Sequence, residues 1–386
     1  MRISSDMLYR QGLAAMLDQQ SALARAQEQL STNRKYATAA DNPADYAQGL
    51  SLDQHLGELD RYQSNIDTAQ HRLRTEETAL GNVTQTLQRV RELAVQANNA
   101  TLSDSDRAAI SEELKQRLQD LYGYANQDDG TGHYIFAGSG GSAAFANATY
   151  RGDQTARLIA IAPGRSVADG DPGSEVFQRV KNGDGTLRAS AGANTGNVVL
   201  AQVSLANPAA WTGGSYTVSF AGGNYSVRDA SNTVVASGAY SDGGTISFAG
   251  VDLKLTGTPV NGDSFTVASA SQQDLFATVQ SVIDAAGTTG ASARHNAIFN
   301  NLQDLDQAIN HVLDVRAGVG ARLNTLSDAS ASNSAVSEQL QQSLAGVRDT
   351  NVAETVSRMQ QLLTSLQAAQ QTFIKVQGLS LFDYLR

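Results

Sequence analysis

The chain has 386 residues, enough for two or three domains, and no Cys, which excludes disulfides, thiolate metal sites and cysteine nucleophiles. A formal net charge of −10 and a pI near 5.0 argue against nucleic-acid binding, which needs a basic footprint. No apolar run approaches the roughly 18–20 residues that span a membrane, and the opening MRISSDMLYRQ lacks the apolar stretch of a secretory signal, so composition alone reads as cytosolic.

The first predicted helix covers residues 5–33. Tyr9, Leu13, Met16, Gln20, Leu23, Gln27 and Leu30 alternate there at steps of four and three, the spacing of a coiled-coil seam. NRKYATAADNPAD (33–45) breaks the pattern, and Asn42 before Pro43 reads as an N-cap followed by the first helical residue. The next run is long. Leu52, His55, Leu59, Tyr62, Ile66, Ala69, Leu73, Glu76, Leu80, Val83, Leu87, Val90, Ala94 and Ala97 keep the rhythm. They predict a helix over 43–98, a rod of roughly 80 Å at about 1.5 Å per residue. Ser103 and Asp106 form a capping-box pair, opening a further helix with Ile110, Leu114, Leu118 and Leu121 on one face.

At His133 the character changes. HYIFAGSGG reads as one short strand with a flexible exit, and the chain stays rich in Gly, Thr, Ser and Val to about residue 270. Tyr216, Val218 and Phe220 alternate with polar residues, as do Ile246 with Phe248, Val251 with Leu253 and Leu255, and Phe265 with Val267. This predicts an antiparallel β insertion over 138–271, as one lobe or as two dividing near 181–197.

Helix returns at 272 and pauses at GTTG (287–290). It continues through Ile298, Leu302, Leu305, Ile309, Val312, Arg316, Val319, Leu323 and Leu326. Arg316 is the charge on this seam that needs a partner, since burying it alone would be expensive. The second rod matches the first in length, so the two can lie antiparallel with the helix from 105 completing a bundle. The last stretch, 351–386, repeats the four-three spacing at Val352, Val356, Met359, Leu363, Leu366, Gln370, Phe373 and Gln377. The N-terminal seam is its natural partner.

The fold class expected is α+β: a long antiparallel helical rod and coiled-coil bundle from both chain halves, with an inserted antiparallel β domain. Five segments follow: 1–40 and 349–386 as paired assembly helices, 41–137 and 272–348 as the two halves of the rod, and 138–271 as the insertion.

No constellation for chemistry emerges. His55, His71, His133, His295 and His311 lack metal-ligand spacing, and the serines form no GxSxG elbow. AGSGGSAA (137–144) opens no helix and carries no GK pair, so it reads as a hinge, not a phosphate loop. No catalytic residue, cofactor or metal is expected. Thin amphipathic end helices instead predict ordering on assembly, and contacts that do not close on themselves generate tubes or filaments.

Four blocks carry a family resemblance: LSTNRKYATAADNPADYAQGLSL (30–52), RVRELAVQANNATLSDSDRAAISEELKQRLQDL (89–121), VRAGVGARLNTL (315–326) and AGVRDTNVAETVSRMQQLLTSLQAAQQTFIKVQGLSLFDYL (345–385). The chain resembles the flagellin superfamily. YIFAGS (134–139), DPGSEVF (171–177) and the ending GLSLFDYLR look like its junction-forming members; a filament subunit is the alternative. Asn351 stands where the family commonly has an acidic residue, and Glu354 still permits a cap.

The resemblance implies a structural adaptor of the bacterial flagellum. Copies would form a ring that joins the hook-associated zone to the flagellin filament and templates its growth. The implied partners are further copies of itself, the adjacent hook-associated protein, flagellin and a cytoplasmic export chaperone, with no nucleic acid and no membrane insertion. The implied location is extracellular, on the flagellum, after type III export without a cleaved signal. The assembly and chaperone interface is expected on Leu13, Met16, Leu23 and Leu30, and on Val356, Met359, Leu363, Leu366, Phe373, Val376, Leu379, Leu381 and Phe382. Gln88, Arg89 and Glu92 match the flagellin segment read by an innate immune receptor; rod packing and subunit contacts are the simpler role.

Overall fold

The computed structural model describes residues 5–140, 143–146 and 148–384; the side chains of 5, 6, 8 and 376–384 lie outside the described set. The helices are α1 (Ser5–Thr32), α2 (Pro43–Ala97), α3 (Asp104–Ala125), α4 (Leu275–Ala286), α5 (Ala291–Arg348) and α6 (Val352–Tyr384). The fold is α+β, helical at both ends with an antiparallel β insertion between α3 and α4.

Local chemistry sets the helix boundaries. Asn42 accepts a hydrogen bond from the Asp45 amide (3.2 Å) ahead of Pro43, where a missing N–H costs nothing. Ser103 and Asp106 form the capping box, each side chain accepting from the other's backbone N–H (3.2 and 3.1 Å). Asp274 caps α4 by accepting from Phe276 N at 2.7 Å. Asn351 accepts from the Glu354 amide (3.3 Å) at the start of α6.

By its internal contacts the chain divides into two units, Met1–Ser64 with Ser330–Arg386, and Asn65–Ala329. In the second, the periodic residues Ile66, Leu73, Leu80, Leu87 and Ala94 of α2 are fully buried, as are Ile298, Leu305, Val312, Val319 and Leu326 of α5. The two helices run antiparallel. Glu77 pairs with Arg316 (2.6 Å), Arg91 with Asp306 (2.6 Å), and Asn98 meets His295 (3.2 Å). Arg316 thus has its partner, and with a third of its side chain exposed it carries little desolvation cost. Leu114, Leu118 and Leu121 of α3 join this core, and Tyr122 stacks on Phe276 of α4 at 4.3 Å.

The described part of the 133–141 segment, 133–140, is not a strand. Ile135–Ala137 form a 3₁₀ turn, and all three side chains are buried, so a period of two has no solvent face to use. Gly138 then turns the chain with φ +72°. The following hairpins, β1 (Phe145–Ala146) with β2 (Thr149–Tyr150) and β3 (Leu158–Ala162) with β4 (Arg165–Ala168), pack on the helical core. A π-helical turn, Ser174–Gln178, sets Phe177 into an aromatic cluster. Its ring lies 5.1 Å from Phe136 and 5.5 Å from both Phe145 and Phe276.

A separate core belongs to strands β6 (Leu187–Ala191) through β13 (Ser264–Ser269). Between them come β7 (Val199–Leu205), β8 (Tyr216–Ala221), β9 (Asn224–Arg228), β10 (Val234–Ala239), β11 (Thr245–Phe248) and β12 (Val251–Thr256). The antiparallel sheets have orders β10-β9-β8-β13-β6 and β11-β12-β7, and their inward residues, Val218, Phe220, Phe265 and Val267 from one with Leu200, Ile246 and Leu253 from the other, form one cluster. A neck joins this sandwich to the helices: β5 (Val180–Lys181) pairs with β14 (Gln272–Gln273). Two polar anchors on α5 complete the joint. Asp304 accepts from Gly183 N at 2.6 Å and pairs with Arg188 at 2.9 Å, and Asn296 bonds Leu200 N and Val198 O at 2.7 and 3.2 Å.

Candidate assembly surface

In the first unit α1 and α6 lie antiparallel. The Tyr9 and Phe373 rings sit 5.2 Å apart, Gln19 donates to Ser365 Oγ at 2.9 Å, and Thr350 N donates to Asn33 O at 3.2 Å. Gly12 admits the Phe373 ring; a Cβ there would stand 3.4 Å from it. Where the helices meet their connecting segments, Lys35 N donates to Arg348 O at 2.7 Å, and Lys35 Nζ reaches Gly346 O at 2.5 Å.

This pairing buries very little. Among the described side chains of α1 and α6, only Ala26 and Thr355 are buried. Met16, Leu23, Leu30, Val356, Met359, Leu366 and Phe373 are half-buried. Leu13 and Leu363 keep 40% and 37% of their surface exposed, and Leu17 and Ile374, outside the seam, keep 55% and 67%. At about 25 cal/mol per Å² of apolar surface removed from water, half-buried seams leave much of their potential stabilisation unrealised. Apolar residues all round a helix pair call for further protein on its open faces. Val376, Leu379, Leu381 and Phe382 belong to the side chains outside the described set.

Gln88, Arg89 and Glu92 all point to solvent from α2. Arg89 donates to Glu113 of α3 (2.9 Å) and to Glu92 (3.0 Å). These bonds raise the Arg89 pKa, and the Arg89 bond lowers that of Glu113. Arg89 and Glu92 are thus brought together on a charged face.

A cluster that periodicity did not single out lies elsewhere in the second unit. Glu76, on the α2 seam, is fully buried. Arg72, one turn earlier, pairs with Asp129 and with Asp169 (3.1 Å), and Arg157 also pairs with Asp169. Burial pushes the Asp129 carboxyl up, but Thr131, Arg72 and the His133 amide outweigh it and hold the pKa at about 2. The signal available in sequence was a Glu at a position where every neighbour in the rhythm is apolar. Among the described residues no group of three or more His, Asp or Glu is arranged to hold a metal ion, and no helix is long and apolar enough to cross a membrane.

The N-terminal part, residues 3–140, matches the family model for the bacterial flagellin N-terminal helical region, and residues 302–385 match that for the C-terminal helical region. Residues 189–269, within the sandwich, match the D2-like domain of flagellar hook-associated protein 1. The crystal structure of FlgL from Xanthomonas campestris superimposes with a TM-score of 0.72 at 37% identity, covering 76% of this chain and 99% of that one. The chain belongs to the flagellar hook-associated protein 3, or FlgL, family. The flagellar junction protein FlgL of Legionella pneumophila is similar at 30% identity and TM-score 0.68, covering 78% of this chain and all of that one. Flagellar hook-associated protein 3 of Salmonella typhimurium is 27% identical over the full length of both chains. The correspondence therefore spans helices and sandwich alike.

Proposed function

We propose that this FlgL-family chain is the structural adaptor at the hook–filament junction, assembling as a ring of copies that joins the hook-associated zone to the flagellin filament and templates its growth. The observation that carries this reading is the α1–α6 pair, whose seam residues are half-buried and whose outer faces present Leu17 and Ile374 to solvent. Such a pair gains its missing burial only against neighbouring subunits. Full-length correspondence with hook-associated protein 3 favours the adaptor over the filament subunit.

The assembly interface comprises Leu13, Met16, Leu23, Leu30, Val356, Met359, Leu363, Leu366 and Phe373, continuing through Val376, Leu379, Leu381 and Phe382. Before export the same C-terminal helix is held by a cytoplasmic chaperone, and the protein leaves through the flagellar type III channel without a cleaved signal. Outside, its partners are further copies, the adjacent hook-associated protein and flagellin. Residues 1–40 and 349–386 act as the assembly helices, 41–137 and 272–348 as the rod, and 138–271 as surface decoration. Gln88, Arg89 and Glu92 serve subunit contacts along the rod. The role is mechanical and not enzymatic.

A strain lacking the gene is expected to make hooks and to secrete flagellin, but to carry no attached filaments. Filaments of normal length on that strain would overturn the adaptor reading. Removing residues 363–386 is expected to abolish both chaperone binding and assembly, with the second unit retaining its cooperative melt.

A further inference from the structure

Around Glu76 the second unit gathers four carboxyl groups, Glu76, Asp129, Asp169 and Asp171, and three guanidinium groups, Arg72, Arg157 and Arg322. Every carboxylate but one has a guanidinium in ion-pair contact. Arg72 serves Asp129 and Asp169, Arg157 serves Asp169, and Arg322 serves Asp171. Glu76 is the exception among the described residues. The next charge along α2, Glu77, is already committed to Arg316 of α5.

The contacts of Glu76 are equally specific. Its Oε1 accepts from the Asp171 amide at 3.2 Å, while Oε2 is buried with no donor facing it. Asp171, from whose amide Oε1 accepts, also carries the neighbouring carboxylate, which is held by Arg322. Two carboxylate oxygens both accept, so they attract only when a proton lies between them. A fully buried, unpaired carboxylate beside a second one would be far more costly than a neutral acid donating to it.

We propose that Glu76 is a protonated, buried carboxylic acid whose O–H donates to Asp171, latching the 169–173 loop to α2 and α5, and that loss of this proton releases the loop. The balance is simple: the O–H bond of Glu76 breaks, the proton passes to water, and two adjacent carboxylates then compete for Arg322. The loop is tightly seated when latched. A Cβ on Gly173 would stand 3.0 Å from Phe136 O, and the π-helical turn that follows carries Phe177 into the aromatic cluster. Release at Asp171 therefore loosens the route by which Phe177 enters the core.

Burial, with the Asp171 charge adding and Arg322 opposing, raises the Glu76 pKa well above its ordinary 4.5. A carboxyl whose pKa is higher folded than unfolded stabilises the fold fully below the unfolded value. That contribution is lost as pH rises through the folded value. Asp304 is shifted in the same direction, chiefly by burial, so the wild-type pH profile alone does not isolate Glu76.

The test uses the full chain and its Glu76→Gln variant, an isosteric amide that can donate to Asp171 at every pH. With ¹³C-carboxyl-labelled Glu, the resonance missing from the variant is that of Glu76. It is expected to stay protonated at pH values where the exposed glutamates are already ionised, and to ionise only above them. In urea unfolding, the folded-to-unfolded ratio of the wild type is expected to fall about tenfold per pH unit relative to the variant between the two Glu76 pKa values. Hydrogen exchange over 171–178, corrected for the intrinsic rate, is expected to lose protection as that resonance ionises, in the wild type only. A Glu76 resonance that ionises together with the exposed glutamates, or parallel profiles for the two proteins, would overturn the proposal. Should the variant fail to fold, exchange in the wild type decides alone, and pH-independent protection at 171–178 overturns the latch.

Discussion

The α1–α6 pair and the α2–α5 pair within Asn65–Ala329 are written in the same four-three rhythm and end in opposite states. On α2, Ile66, Leu73, Leu80 and Leu87 are fully buried, because α5, α3 and the aromatic cluster cover the remaining faces. On α1 and α6 the equivalent described positions are half-buried or exposed, because among the described residues these two helices cover one another on one face. The seam pattern specifies which face seeks a partner. How much burial results depends on how many partners the chain itself supplies.

The comparison can be tested by removing one side chain from each region. The largest effect is expected for Phe177→Ala, where an aromatic side chain fully buried among three rings is lost, at about 3–5 kcal/mol in urea unfolding of the monomer. Leu80→Ala should cost about 2–5 kcal/mol, whereas Leu363→Ala, at a site 37% exposed, should cost less than about 1 kcal/mol in the same experiment. In filament attachment assays the order reverses: the Leu363 variant fails to attach and the Leu80 variant, once folded, attaches. Equal monomer losses for the two leucines would show the terminal pair to be an ordinary core. A smaller effect, about 1 kcal/mol, is expected for Ser103→Ala, which removes one half of the capping box of α3. Finally, amides of α1 and α6 in the monomer should exchange within minutes while those of 66–97 remain protected far longer.

What was legible in the sequence was local. Pro43 after Asn42, the Ser103–Asp106 box and the GTTG break each fix a boundary through bonds among neighbouring residues, and each appears in the structure. The pairing of α1 with α6 was legible because two seams with the same period lacked partners. The fate of YIF was not. Its strand-like composition yields to a 3₁₀ turn because all three side chains find burial in a core assembled from distant segments. The β-rich region read as one lobe or as two dividing near 181–197, and what was hidden was which of its residues pack on the helices, since 144–180 and 187–269 share composition and differ only in what they pack against. Attention to charge on the seam picked out Arg316, which has a partly exposed partner, and passed over Glu76, which has no cation in contact. On the α1–α6 pair, periodicity picked out the seam but not the exposed Leu17 and Ile374, which lie off it.

The two-stranded neck has one more consequence. Because β5 and β14 pair side by side, with Asn182 N donating to Ser271 O at 3.0 Å, the sandwich begins and ends at a single point on the helices. It is a cassette. Replacing everything beyond the neck by a tight hairpin turn would leave every helix with its own register, and closing so short a loop costs little compared with the long connection it replaces. The helices therefore keep their own pairing whatever lies beyond the neck, and the cassette is free to diverge in size and surface without altering it.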